Sequence, residues 1–186
     1  MAKLPMGLLK KVFFVSLFSL LLSSCAGPTI EQYANEKPNL ALSDYFNGKV
    51  KGYGIFTDRS GKVVKRFTVD ILCDWKDING VKTGTLDESF LYSDGTTQKR
   101  IWTIQQSANN AFIGTAADVK GSALGQSAGN ALNWSYTLLL PVEGKEIEVQ
   151  FNDWMYLIDS KVMLNKAQMS KFGIYLGEVT LSFQKE

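Results

Sequence analysis

The sequence predicts an all-β fold: an antiparallel up-and-down barrel or strongly curved half-barrel of about nine strands. Three observations carry that reading. From Tyr45 onward, short β-rich runs are separated by turn residues at nearly even spacing. Within the runs, apolar and polar side chains alternate with period two. No amphipathic pattern of ten or more residues offers a competing helix. The punctuation is Asp58-Arg59-Ser60-Gly61, Asn79-Gly80, Asp94-Gly95, Asn109-Asn110 and Glu143-Gly144. Strands are expected near 46–57, 62–75, 81–92, 96–106, 111–119, 131–140, 145–158, 161–170 and 173–184. Closing them into a barrel would leave no exposed edge.

The turns fix the pairing. Phe67, Val69, Ile71, Cys73 and Trp75 share one face of the second run, against Arg66, Thr68, Asp70 and Asp74 on the other. Asn79-Gly80 suits a two-residue type I′ turn. That turn sets Ile71 opposite Glu88, Val69 opposite Phe90 and Cys73 opposite Leu86. Ser93-Asp94-Gly95 suits a three-residue loop with Gly in the left-handed position. It sets Glu88 opposite Arg100, Leu86 opposite Trp102 and Phe90 opposite Gln98. In the later hairpin, Leu132, Trp134, Tyr136, Leu138 and Leu140 alternate with polar residues. A turn at Glu143-Gly144 aligns Leu140 with Ile147, Leu138 with Val149 and Tyr136 with Phe151. An inner face this rich in aromatics either fills a small core or lines a cavity.

Two stretches depart from the alternation. Gly121–Gly129 has glycines four apart and reads as a flexible loop at the barrel mouth. Asn152–Tyr156 interrupts its run with polar residues, which suggests a bulge or a rim position for Trp154.

The N-terminus reads as an export signal. Lys3, Lys10 and Lys11 precede an eleven-residue run, Val12–Leu22, broken only by two serines. That is the length of a signal h-region and too short for a helix to cross a bilayer of ~30 Å. Leu22-Ser23-Ser24-Cys25 resembles the bacterial lipobox. The resemblance implies cleavage before Cys25, acylation of its thiol and amine, and a membrane partner reached through the lipid. Ala26, where an Asp would favour inner-membrane retention, implies an outer-membrane protein on the periplasmic face. The expected organisation is a signal peptide over 1–24, the lipidated Cys25 with a flexible tether over 25–43, and a β-barrel domain over 44–186. A short helix is expected around Ile30–Asn35 within the tether.

Composition narrows the function. The chain has 186 residues, 20 Lys+Arg, 18 Asp+Glu, no His and two Cys, for a net charge of +2. Absent His excludes Ser-His-Asp and Cys-His catalysis and any His-ligated metal. Two Cys cannot form a four-thiolate zinc site. Residues 1–24 hold three Lys and no acid, so the remaining chain carries 17 basic and 18 acidic residues, net −1. Basic residues are interleaved with acids, which argues against nucleic-acid binding. Cys73 would be the only thiol left after lipidation of Cys25, and its apolar neighbours make it a buried, unreactive residue.

Several motifs together resemble an uncharacterised family of proteobacterial lipoproteins, identified as domain of unknown function 3833. They are the lipobox, Phe46-Asn47-Gly48, Gly52-Tyr53-Gly54, Asp58-Arg59-Ser60-Gly61, Arg66-Phe67, Arg100-Ile101-Trp102, Gly129-Asn130-Ala131 with Trp134-Ser135-Tyr136, and Asp153-Trp154-Met155-Tyr156. The resemblance implies no activity and no site residues. The architecture is similar to lipocalin-like barrels.

The residues point to non-catalytic binding of a lipid or amphipathic small molecule. Glu88 and Arg100 are charges on an apolar face, which is costly unless they are paired. With Trp102, Trp134 and Tyr136 they are the expected ligand-facing set, Arg100 holding a carboxylate or phosphate with its two-pronged guanidinium. No catalytic residue, metal ligand or cofactor is expected. The alternative is an envelope lipoprotein with a solid core that works by docking a protein partner.

Overall fold

A computed structural model describes residues 27–142 and 144–186, so the expected export signal, the expected lipidation site Cys25 and Glu143 lie outside the described residues. The fold is a closed antiparallel barrel of ten strands. They are β1 (Gly48–Asp58), β2 (Val63–Ile78), β3 (Val81–Tyr92), β4 (Thr97–Gln106), β5 (Ala111–Thr115), β6 (Ala123–Ala128), β7 (Ala131–Val142), β8 (Lys145–Leu157), β9 (Val162–Lys171) and β10 (Ile174–Lys185). Each pairs with its sequence neighbours, and β10 closes the barrel on β1 from Val50↔Lys185 to Asp58↔Gly177.

The register read from the turns holds. Ile71↔Glu88, Val69↔Phe90 and Cys73↔Leu86 pair across β2 and β3. Glu88↔Arg100, Leu86↔Trp102 and Phe90↔Gln98 pair across β3 and β4. Tyr136↔Phe151, Leu138↔Val149 and Leu140↔Ile147 pair across β7 and β8. Asn79 and Gly80 both take positive φ, as a type I′ turn requires, and Asp77 Oδ1 accepts the Gly80 amide at 2.8 Å.

Two sequence expectations are corrected. The stretch 121–129 is not a loop throughout: Ala123–Ala128 is β6, paired with β5 and β7. It escapes the β pattern because its inward residues are small. Trp134 lies across the inner surface over Gly125 and Gly114, and any larger side chain there would collide with the indole. The second correction is that β8 carries no bulge at Asn152–Tyr156, because the ladder with β7 and β9 runs through it without a shift.

The stretch expected to be a flexible tether packs on the barrel. A 3-10 turn over Ile30–Tyr33 lies beside the β6–β7 turn, where Gly129 O accepts the Leu40 amide at 2.7 Å. Tyr33 sits against Trp154 and Tyr156 at 5.5 and 5.4 Å between ring centroids. A one-turn helix, Leu42–Tyr45, then enters the barrel end. There Tyr45 donates to the carbonyls of Lys161 (3.0 Å) and Phe183 (3.1 Å), and Trp75 Nε1 donates to Phe46 O at 2.7 Å. Phe46 packs edge-on against Phe183. Inward residues at this end, among them Val50, Cys73, Leu132 and Met163, are buried. At the opposite end Phe56, Tyr92, Gln98, Leu140 and Met169 are half-buried. The barrel is therefore plugged at one end and open at the other.

Gly129 has φ +53, and a Cβ there would overlap the Tyr33 carbonyl oxygen. Gly129→Ala is expected to lose roughly 2–4 kcal/mol, combining a left-handed backbone with a backbone clash. Urea unfolding gives the loss, and faster amide exchange over residues 30–42 shows that the N-terminal segment has lifted off.

Candidate functional site

The barrel encloses a cavity of about 210 Å³. Its walls follow from the alternation, because every second residue of a closed ladder points inward. Glu88, Arg100, Trp102, Trp134 and Tyr136, the set expected from sequence, all line it. Trp102 packs edge-on against Trp134 (5.9 Å) and Tyr136 (5.4 Å), and Tyr136 stacks on Phe151 at 5.2 Å. Nearer the mouth, Phe67, Phe90 and Tyr92 form a second aromatic group, with Phe90 and Tyr92 stacked at 6.0 Å. Tyr92 donates to Gln98 Oε1 at 2.7 Å.

The polar part differs from expectation in one respect. The Arg100 fork does not stand free for a ligand anion, because Asp118 occupies it. Arg100 Nε donates to Asp118 Oδ2 at 2.9 Å and Nη2 donates to the same oxygen at 2.7 Å. Glu88 comes only to 3.7 Å from Arg100 Nη1, an ion pair too long for a hydrogen bond. Arg100 also lies over the Phe90 ring at 5.6 Å. Burial works against its charge, but the Asp118 hydrogen bonds and the Glu88 and Asp118 charges outweigh burial and hold Arg100 above its ordinary value.

Asp118 and Asp153 are the residues that sequence reading missed. Asp118 lies beyond β5, which ends at Thr115 and not near residue 119 as expected. Residues 118–120 instead hydrogen-bond to β7, Lys120 N to Thr137 O (2.9 Å) and Leu139 N to Asp118 O (2.8 Å). No periodic signal marks such a connection. Asp153, by contrast, follows the inward phase of Val149 and Phe151, and the ladder sets it opposite Trp134. It is buried, and its Oδ2 accepts from Tyr136 at 3.1 Å.

Burial pushes both the Glu88 and Asp153 carboxyls up to about 7. The Arg100 charge pulls Glu88 back down, while the Tyr136 hydrogen bond and then Arg100 do the same for Asp153, in both cases incompletely. Burial also raises Tyr136 far above its ordinary value, so it remains a donor. Cys73 is buried, and its thiol is pushed up to about 12, chiefly by burial. At neutral pH it is an unreactive thiol.

These features define a class: a lipocalin-like β-barrel with an internal, mostly aromatic cavity and a small buried charge cluster. The chain belongs to the family described as Protein of unknown function (DUF3833), matching it over residues 19–185. Its structure is similar to that of the S-type phycobiliprotein lyase CPES from Guillardia theta, with a TM-score of 0.57 and 5% sequence identity. That likeness covers 86% of this chain and 98% of the other, and it is a likeness of fold. No curated protein matches the sequence.

Two measurements test the cluster. Asp118→Asn leaves Arg100 with weakened compensation, and a loss of roughly 3 kcal/mol is expected, at the low end for a buried pair because Asp118 keeps some solvent contact. The second concerns pH. In the unfolded chain Glu88 ionises near 4.5, whereas in the fold it keeps its proton to about 7. The native state therefore binds more protons between those values, and stability falls as pH rises through that window. Glu88→Gln removes this penalty. Its melting temperature at pH 8 is expected to exceed that of the native protein, by roughly 1–3 kcal/mol of stability. The gain at pH 5 should be several-fold smaller. Equal effects at both pH values would mean that Glu88 does not hold its proton in the fold.

Proposed function

We propose that the protein is an outer-membrane-anchored periplasmic lipoprotein whose barrel binds a lipid or other amphipathic small molecule without transforming it. The observation that carries the reading is the cavity of about 210 Å³, open at one end and walled by aromatic and aliphatic side chains around a buried polar cluster. A mostly apolar concave site with a few convergent polar groups is the usual form of a small-molecule site. Its volume suits a small ligand or a short acyl segment. A docking lipoprotein with a solid core has no use for this space, and Trp154 and Tyr156, which would form its docking patch, are half-covered by Tyr33.

The anchor rests on Lys3, Lys10, Lys11, the run to Leu22 and Leu22-Ser23-Ser24-Cys25. Each acyl CH₂ contributes ~0.8 kcal/mol, so several chains hold effectively for good. Only residues 26–29 separate Cys25 from the 3-10 turn beside the plugged end. That chain reaches at most about 17 Å, against roughly 30 Å of barrel height. The arrangement keeps the plugged end toward the membrane and the open end toward the periplasm.

A catalytic reading stands second. Two buried carboxyls titrating near 7 within a cavity are suited to proton transfer, and the similar solved barrel is a lyase.

Native mass spectrometry of the purified protein, incubated with an envelope lipid extract, separates these readings. An adduct recovered with unaltered mass is expected, and Trp102 and Trp134 fluorescence should change on binding. A changed ligand mass supports catalysis, and no adduct with any extract refutes binding. For the anchor, Cys25→Ala is expected to lose incorporation of labelled palmitate and to move the protein from the membrane to the soluble fraction. Retention in the membrane would exclude Cys25 as the attachment point.

A further inference from the structure

The charge cluster is unbalanced in a way that specifies a ligand. Three carboxyls, Glu88, Asp118 and Asp153, stand near a single cation, and Asp118 already takes its fork. Glu88 Oε2 and Asp153 Oδ1 are buried and have no hydrogen-bond partner. Both residues line the cavity. A buried acceptor left unpaired costs roughly 1–3 kcal/mol, so two within one cavity mark where a donor from outside would be stabilised. A carboxylate or phosphate would have to displace Asp118 from Arg100 and lie beside two further acids. A hydroxyl could serve one orphan oxygen and carries no compensating charge. An ammonium group offers three donors and no acceptor, and it supplies the cation the cluster lacks.

We propose that the cavity selects amphiphiles bearing a protonated amine, whose head group is held by Glu88 and Asp153 while its apolar part lies along the Trp102–Trp134–Tyr136 wall. This rests on the proposed binding function and adds the head-group class. It also brings a pH dependence. Glu88 on β3 faces Arg100 on β4 and Asp118, with Cys73 on β2, Tyr92 and Asp87 within electrostatic reach. Asp153 on β8 faces Tyr136 on β7 and lies opposite Ala167 on β9, with the Arg100 and Glu88 charges within electrostatic reach. Cys73, Tyr92 and Tyr136 are all raised above their ordinary values and remain neutral. Glu88 and Asp153, each at about 7, thus move from acids to carboxylates as pH rises through neutrality. An alkyl amine, with a pKa near ~10, keeps its charge throughout, so its affinity should rise from pH 6 to pH 8.

The test compares octylamine, octanol and octanoate binding to the purified protein by titration calorimetry at pH 6 and pH 8. At pH 8 octylamine is expected to bind about tenfold or more tighter than octanoate, as charge-assisted hydrogen bonds imply. It should also bind tighter than octanol, and its advantage should shrink at pH 6. In a Glu88→Gln/Asp153→Asn double variant the amine preference is expected to disappear. Octanol or octanoate binding as tightly as octylamine at pH 8 overturns the head-group proposal and leaves the binding function standing. Binding of none of the three overturns both. If the double variant does not fold, the selectivity series and its pH dependence in the native protein still decide.

Discussion

Closure of β10 on β1 is the constraint on which the rest of the molecule depends. A ladder with no free edge satisfies its backbone groups strand to strand and fixes two faces for every strand. Glu88, Arg100 and Asp153 then have no choice of side, because moving any one of them outward would shift a whole strand by one residue and expose its apolar set. The charge cluster is thus held by the barrel register and not by its own attractions. This explains how two poorly partnered carboxyls persist in the interior.

The cavity exists for a related reason. Ten strands enclose more volume than ordinary side chains fill, and this chain spends much of the excess on Trp and Phe laid against glycine. Trp134 lies over Gly114 and Gly125, and Trp75 over Gly84. Those pairs flatten the aromatic rings onto the wall, leaving space at the middle of the barrel. The N-terminal plug removes space at one end only, through Phe46 and its contact with Phe183. What remains is a pocket with an aromatic floor and a charged cluster partway to the mouth. Burial among those apolar walls is what lifts the Glu88 and Asp153 carboxyls toward 7.

The fold and most of the site were legible in the sequence because two turns carry unambiguous chemistry. Asn79-Gly80 and Ser93-Asp94-Gly95 fix the pairing of three long strands, and period-two alternation does the rest. Glu88, Arg100 and Trp102 followed directly. The same logic reached Tyr136 and Trp134 from the opposite hairpin, and it would have reached Asp153, had the polar run around it not suggested a bulge. β6 was hidden because its inward residues, Ala123, Gly125 and Ser127, are small, Gly125 in order to accommodate the Trp134 indole, and a strand that makes room for another residue loses its own hydrophobic signature. Asp118 was hidden for a different reason. It lies in an irregular connection, whose position is set by hydrogen bonds to β7 that no local pattern encodes.

Residues 27–43 show the same limit toward the N-terminus. Their Pro, Gly, Asn and charge resemble a linker, since few of them are buried and those few follow no period. Their order comes from single contacts with distant residues: Leu40 with Gly129, Tyr33 with Trp154 and Tyr156, and Tyr45 with the carbonyls of Lys161 and Phe183. Such contacts carry no period, so composition alone reads them as flexibility. Their structural effect is nevertheless large. The residues from Leu40 to Phe46 plug one end of the barrel, so the direction in which the cavity opens is set by one short segment of chain.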